Sequence, residues 1–199
     1  MLGREYSGMT PYSGRQFISR EELYQNGYSP YQIRNLVAHG DLRQIHQNYF
    51  ENPNYSDDVN DFNYVRIFAP KGVICLVSAA VYHGLSTSRA LQIDVALPRN
   101  TRIPKSPEWP VTQYYLFSGE RYSTGIKTIE DEYNFFRIYD PEKTVCDILF
   151  YRNKLGFETA MEVLKTYLQR EDRDLNRLME YAEKLRCGKL LREYLEVIV

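Results

Sequence analysis

From Phe17 to Phe50 the apolar positions are sparse and recur at helical spacing. Ser19 precedes REELYQ with Glu22 three residues on, a capping-box pattern, and Leu23 anchors a short helix that Gly27 ends. Ser29 followed by Pro30 marks a second helix start. Ile33, Leu36 and Val37 then form an i, i+3, i+4 stripe, and Gly40 is the expected stop. Leu42–Ile45 and Asn48–Phe50 read as two strands of a small hairpin. Residues 52–61 (NPNYSDDVND) are polar and turn-rich and mark a boundary.

Beyond the boundary the pattern changes. FNYVRIFAPKGVICLVSAAVYHGL predicts one or two helices, the last stopped at Gly84. LQIDVALP alternates Leu91, Ile93, Val95 and Leu97 against Gln92, Asp94 and Ala96, a half-buried strand. VTQYYLFS and YNFFRIY are further strands, separated by a Gly- and Ser-containing stretch. The C-terminal third is helical. Asp140 caps and Pro141 starts a helix with Val145, Ile148 and Leu149 inward. Three amphipathic stripes follow: Phe157, Ala160, Met161, Leu164, Tyr167 and Leu168; then Leu175, Leu178, Met179, Ala182 and Leu185; then Leu190, Leu191, Tyr194, Leu195 and Ile198. Each has one charged face, the signature of a small bundle. The expected fold class is α+β: an N-terminal helix-turn-helix with a hairpin over residues 1–55, then a mixed domain over 62–199 with a small sheet and a helical bundle. Residues 1–16, with Gly3, Gly8, Pro11 and Gly14, read as an irregular arm.

Composition narrows the function. Twenty-five basic against 26 acidic side chains leave no global bias toward polyanions, which argues against a protein that coats nucleic acid but not against one small DNA-reading face. The three cysteines, Cys75, Cys146 and Cys187, are far apart, so neither a metal-ligand spacing nor a disulfide framework is evident. With no signal core in residues 1–16 and an apolar run (VICLVSAAVYHGL) too short to cross a bilayer, a cytoplasmic protein without membrane contact is expected.

Residues in a catalytic pattern are few. His39, His46 and His83 lack a metal-like partner at i+4, and His83 reads as a helix-end residue. Ser78 is outside any nucleophile-elbow context and reads as buried or capping. Cys146 and Asp147 are helix neighbours that point apart. Asp94 has no second acid or lysine at close spacing and reads as an exposed strand residue. No Walker loop or dinucleotide fingerprint is present. The chain reads as non-enzymatic, with no cofactor and no metal.

Polar chemistry concentrates instead on the second helix and the hairpin. With Ile33, Leu36 and Val37 inward, the outer face carries Tyr31, Gln32, Arg34, Asn35 and His39. Gln and Asn suit adenine, Arg suits guanine, and Tyr and Ser suit phosphate. Ser29 and the helix N-terminus offer N–H groups to a phosphate. From the hairpin Arg43, Gln44, His46 and Gln47 project toward a neighbouring backbone. Arginines and acids balance over residues 1–55, so useful affinity calls for a dimer or cooperative sites. The pattern alone leaves two readings open, a DNA-reading helix with its wing and a solvated α+β fragment.

Four segments taken in order carry a resemblance: ISREELYQNGYSPYQIRNLVAHGDLRQIHQNYF, VICLVSAAVYHGLST, IDVALP and DPEKTVCDIL. From about Phe17 to the C-terminus the chain resembles the AbiEi family, the antitoxins of the AbiE abortive-infection (type IV) toxin–antitoxin systems. The resemblance implies an N-terminal winged helix that binds inverted repeats in the operon's own promoter, often cooperatively, and represses it. It also implies a C-terminal domain that neutralises a nucleotidyltransferase-like toxin encoded alongside, without requiring a stable complex. It adds no catalytic residue and places no toxin contact. Two departures stand out. Relatives commonly carry Gly before the aromatic wing strand, where this chain has Gln47–Asn48–Tyr49, and no first helix is apparent in residues 1–16. Two competing readings are a nuclease-type enzyme, because similar openings precede Vsr-like endonuclease domains, and a transcription factor with a ligand-sensing C-terminal domain.

Overall fold

The computed structural model describes residues 10–55, 60–89, 91–130 and 133–198. The expected N-terminal arm lies outside the described residues as far as residue 9, as does the middle of the 52–61 boundary. The chain is α+β, with ten helices and two sheets among the described residues. It divides into two units, residues 1–63 with 130–135 and residues 64–129 with 136–199.

The first unit begins with β1 (Phe17–Ser19) and continues through α1 (Arg20–Gln25), α2 (Pro30–His39), β2 (Arg43–His46) and β3 (Tyr49–Glu51). The strands form an antiparallel sheet in the order β1-β3-β2, with Ile18 opposite Phe50 and Arg43 opposite Glu51. Both helices start on complete capping boxes. The Ser19 side chain accepts from the Glu22 N–H and the Ser29 side chain from the Gln32 N–H, and each N3 side chain bonds back to the cap N–H. Each serine contributes about 1 kcal/mol to its helix end. Gly40 closes α2 at φ 82°, a left-handed position that a side chain would strain. Ile18, Leu23, Ile33, Leu42 and Phe50 form a fully buried core, with Leu36 and Val37 half-buried against it.

The second unit holds a five-stranded sheet in the order β6-β5-β4-β8-β7, built from β4 (Val73–Ile74), β5 (Ile93–Pro98), β6 (Thr112–Phe117), β7 (Ile126–Glu130) and β8 (Phe135–Tyr139). β5 runs antiparallel to β4 and parallel to β6, and β4 runs parallel to β8. Around it lie α3 (Asn63–Phe68), α4 (Leu76–Tyr82), the single turn α5 (Glu120–Ser123), α6 (Pro141–Phe150), α7 (Arg152–Leu155), α8 (Phe157–Leu168), α9 (Leu175–Lys184) and α10 (Gly188–Ile198). The stretch expected to form one or two helices forms two, α3 and α4, with the short β4 between them. Its two residues sit between β5 and β8, so their apolar side chains serve a sheet rather than a helix stripe.

Two expectations fail here for one physical reason, burial on more than one side. The strand β5 is not half-buried: Ile93 to Leu97 are all buried, including Asp94 at 4% exposure, because β5 is an interior strand covered on both faces. α6 likewise has no solvated face. Glu142 to Leu149 are all buried, so its charges lie inside the core cluster that Val145, Cys146, Ile148 and Leu149 form with Leu164, Tyr167, Leu178 and Leu191. Conversely, Phe157 and Leu175, expected inward, are 56% and 44% exposed at the first residues of α8 and α9. The side chain of Ile198 lies outside the described residues.

Candidate nucleic-acid interface

Ile33 is the pin that orients α2. It is fully buried against Leu23, Leu42 and Phe50, and its position on the helix forces Tyr31, Gln32, Arg34 and His39 outward. Tyr31 is 65% exposed, and Asn35 is half-buried. Tyr31, Arg34 and Asn35 make no side-chain hydrogen bond or ion pair among the described residues, so their polar atoms face solvent. α2 carries no acidic residue over its ten positions. α1, by contrast, carries Glu21 and Glu22 in its first turn.

Other candidate contacts have work within the unit itself. Gln32 Oε1 accepts from the Ser29 N–H at 2.8 Å and from its hydroxyl at 2.9 Å, while Ser29 Oγ accepts from the Gln32 N–H at 3.3 Å. That box uses the Ser29 hydroxyl and one N–H of the first turn, and Pro30 has none, so the α2 N-terminus offers little to a phosphate. His39 Nδ1 lies 2.7 Å from the Asn35 carbonyl, and Arg43 is paired with the nearly buried Glu51. Gln44 Nε2 reaches the His46 and Gln47 carbonyls at 3.3 and 3.4 Å.

The hairpin turn is built without a glycine. Neither Gln47 nor Asn48 has a positive φ. Two-residue hairpin turns usually rely on left-handed residues to match strand twist. Here the twist is supplied by a bulge: Gln44 faces Phe50 and His46 faces Tyr49, leaving Ile45 as the extra residue of β2. Arg20 braces the turn from the start of α1. Its guanidinium donates to the Gln47 carbonyl at 3.2 and 3.0 Å, its N–H donates to the Asn48 carbonyl at 2.8 Å, and it lies 5.0 Å from the Phe50 ring centre. Sequence reasoning misses this role of Arg20, since 27 residues of chain separate it from Gln47. Arg15 bonds Glu22 at 3.0 Å. Glu22 and Glu51 are thereby neutralised internally, and Arg34 remains, among the described residues, as the unpaired cation of α2.

Polar chemistry in the second unit is deeper. Burial raises the Asp94 carboxyl from its ordinary value, and bonds from Gln92, Tyr115 and the N–H groups of Ser78 and Val77 pull it back down. Asp94 thus lies at the start of α4, whose own cap residue Cys75 makes no side-chain bond. Ser78 is buried, as expected, and its hydroxyl accepts from the Asp94 N–H at 2.9 Å. His83 ends α4, with Nε2 2.7 Å from the Tyr139 carbonyl. At the centre of α6, Lys143 and Asp147 are both 0% exposed and paired, and Arg121 Nη1 reaches the same carboxylate at 2.5 Å. The Lys143 ammonium lies 4.0 Å from the Tyr139 ring centre and 5.1 Å from that of Phe117. Burial pushes Asp147 up and Lys143 down, and their mutual attraction opposes both shifts. Among the described residues no three His, Cys, Asp or Glu side chains converge as metal ligands, and no helix is long and apolar enough to cross a membrane.

No family model matches the chain. No curated protein matches it at a significant level either. Among solved structures it is similar to the crystal structure of RV2827C protein from Mycobacterium tuberculosis, at 16% identity and a TM-score of 0.47, over 86% of this chain and 72% of that one. Similarity at that level says nothing about function.

Proposed function

We propose that the chain is a DNA-binding repressor and antitoxin of a type IV toxin–antitoxin system. In this reading α1, α2 and the β2–β3 ribbon are a winged helix-turn-helix that reads inverted repeats in the system's own promoter. The second unit neutralises a nucleotidyltransferase-like toxin. What carries the reading is α2: it is acid-free, pinned by Ile33, and presents Tyr31, Arg34 and Asn35 to solvent beside a ribbon bearing Arg43, Gln44, His46 and Gln47. Arg34 and Asn35 are the base-reading pair, with Tyr31 on a phosphate. Gln32 and Ser29 act mainly by fixing the helix start, and contact DNA only where the cap leaves an atom to spare. With so few cations on this face, affinity comes from two copies on paired repeats rather than from one.

The test is binding of the full chain to a duplex carrying the DNA upstream of its own gene, against a scrambled duplex of equal length. Arg34→Ala lowers specific affinity about tenfold, within the range of one bidentate base contact, and leaves protection from the toxin intact in cells. Unchanged affinity for both Arg34→Ala and Asn35→Ala would falsify the assignment of α2.

A further inference from the structure

The second unit carries a cleft that the DNA-binding reading does not use. A depression of about 590 Å³ opens at the carboxyl ends of the parallel strands β5 and β6, lined by Arg99, Asn100, Ser118, Gly119, Tyr122 and Ser123 among others. A second, of about 380 Å³, is lined by Arg121, Phe150, Lys184 and Arg186. Ser118 and Glu120 line both, so the two adjoin along those residues. The carboxyl edge of parallel strands is where open α/β sheets leave room for ligands, and each depression is of a size that suits a small molecule.

The charge in the cleft is one-sided. Arg99, Arg121, Lys184 and Arg186 line it against the carboxylate of Glu120, which Lys184 meets at 2.9 Å. Arg121 is held rigid, with Nη1 on Asp147, Nη2 on the Leu185 carbonyl at 2.8 Å, and its plane 3.7 Å from the Phe150 ring centre. Because Lys143 also meets Asp147, that buried triad keeps one positive charge behind the cleft wall. Arg99 and Arg186 make no side-chain bond among the described residues.

Arg186 adds an observation of a different kind. The Cys187 N–H donates to the Ala182 carbonyl at 2.8 Å and the Arg186 N–H to the Glu183 carbonyl at 3.1 Å, a Schellman closure of α9. Arg186 takes the left-handed position of that motif, at φ 60°, where glycine is the unstrained choice. Backbone strain that places a cation at the rim of a cationic cleft points to a ligand rather than to stability.

We propose that this cleft binds a polyphosphate chain, either free or as the tail of a nucleotide, with Arg99 and Lys184–Arg186 gripping opposite ends and the Ser118 and Ser123 hydroxyls between. A single phosphate spans only one of the two depressions and binds more weakly. Glu120 excludes ligands that cannot displace it from Lys184.

The experiment is calorimetric titration of the full chain with pyrophosphate, orthophosphate, ATP and adenosine, without added divalent cation. Pyrophosphate and ATP bind, orthophosphate about tenfold more weakly, and adenosine not at all, because removing one charge-assisted hydrogen bond weakens binding by about a factor of ten. Comparable affinity for pyrophosphate and ATP identifies the free chain as sufficient, and a clear preference for ATP identifies a nucleotide. Arg186→Gly relieves the left-handed strain, so it keeps or raises the melting temperature while weakening binding about tenfold. Arg99→Ala, on the exposed opposite wall, weakens it similarly, and Arg34→Ala leaves it unchanged. No binding of pyrophosphate or ATP at millimolar concentration overturns the proposal, as does binding indifferent to both cleft variants. Operator affinity measured on the same variants keeps this outcome separate from the DNA-binding reading.

Discussion

Replacing Asp147 by asparagine removes one charge from the centre of α6 while keeping its shape. In the native protein that carboxylate meets Lys143 and Arg121, and neither Lys143 nor Asp147 has any exposure to solvent. In the variant the Lys143 ammonium loses its anion and cannot reach water. Breaking a buried pair from one side costs about 3–5 kcal/mol. An independent bound comes from letting Lys143 deprotonate instead, which from an ordinary lysine value costs about 4–5 kcal/mol at pH 7. The two figures agree, and the rings of Tyr139 and Phe117 offset about 1 kcal/mol by cation–π attraction if the ammonium stays charged. The second route has a signature. Lys143 is then neutral when folded and charged when unfolded, so unfolding takes up a proton and raising the pH favours folding. The deficit of Asp147→Asn relative to the native protein shrinks by about 1.4 kcal/mol per pH unit between pH 7 and 9. Urea unfolding followed by circular dichroism at pH 7, 8 and 9 measures this. Adding Lys143→Met to the variant recovers much of the loss by removing the stranded ammonium. A deficit under about 1 kcal/mol at pH 7 refutes the account of a buried charge triad, whereas a large deficit unchanged to pH 9 shows that the stranded ammonium stays charged.

Further outcomes follow from other sites. On the proposed DNA-binding reading, log K of operator binding falls shallowly with log[salt] because the α2 face carries few cations, and Arg34→Ala leaves the slope unchanged because Arg34 reads a base; a slope reduced by about 0.9 places Arg34 on a phosphate instead. His83 is held below its ordinary value chiefly by burial, with Arg170 adding to the shift against the Tyr139 carbonyl and Glu142. A base with a depressed value gives stability that is present above pH 6.5 and is lost as pH falls toward the folded value. His83→Gln, which keeps a donor toward Tyr139, flattens that acid limb in melting curves taken from pH 7.5 to 5. Gly125 sits at φ 73°, and a Cβ there would lie 2.6 Å from Lys143 Cβ and 2.9 Å from Asp140 Oδ1. Gly125→Ala therefore costs about 2–4 kcal/mol, from left-handed strain and overpacking together, and a melting temperature within a degree of the native value refutes it.

Features set by neighbouring residues were legible in the sequence. Ser19 with Glu22, Ser29 before Pro30, and Asp140 before Pro141 start their helices where expected, because a cap is set by residues within one turn of it. Gly40 stops α2, and the stripes of α8 to α10 come together through Leu164, Leu178 and Leu191, because a helix repeats its face without reference to the rest of the fold. The outward set on α2 followed from the stripe of Ile33, Leu36 and Val37. What only the tertiary structure decided is how many sides of an element are covered, since that depends on partners distant in the chain. Asp94 reads as a solvated strand acid until β4 and β6 flank it and α4 presents its N-terminus to it. Lys143 and Asp147 look like a charged helix surface until Arg121, 26 residues before Asp147, joins them inside the core. The bulge at Ile45 answers the glycine absent from the hairpin turn, and Arg20 reaches across 27 residues to brace that turn. The adjoining depressions lined by Arg99 and by Arg186 have no sequence signature, because their walls come from strand ends and a helix terminus that meet only when the second unit folds.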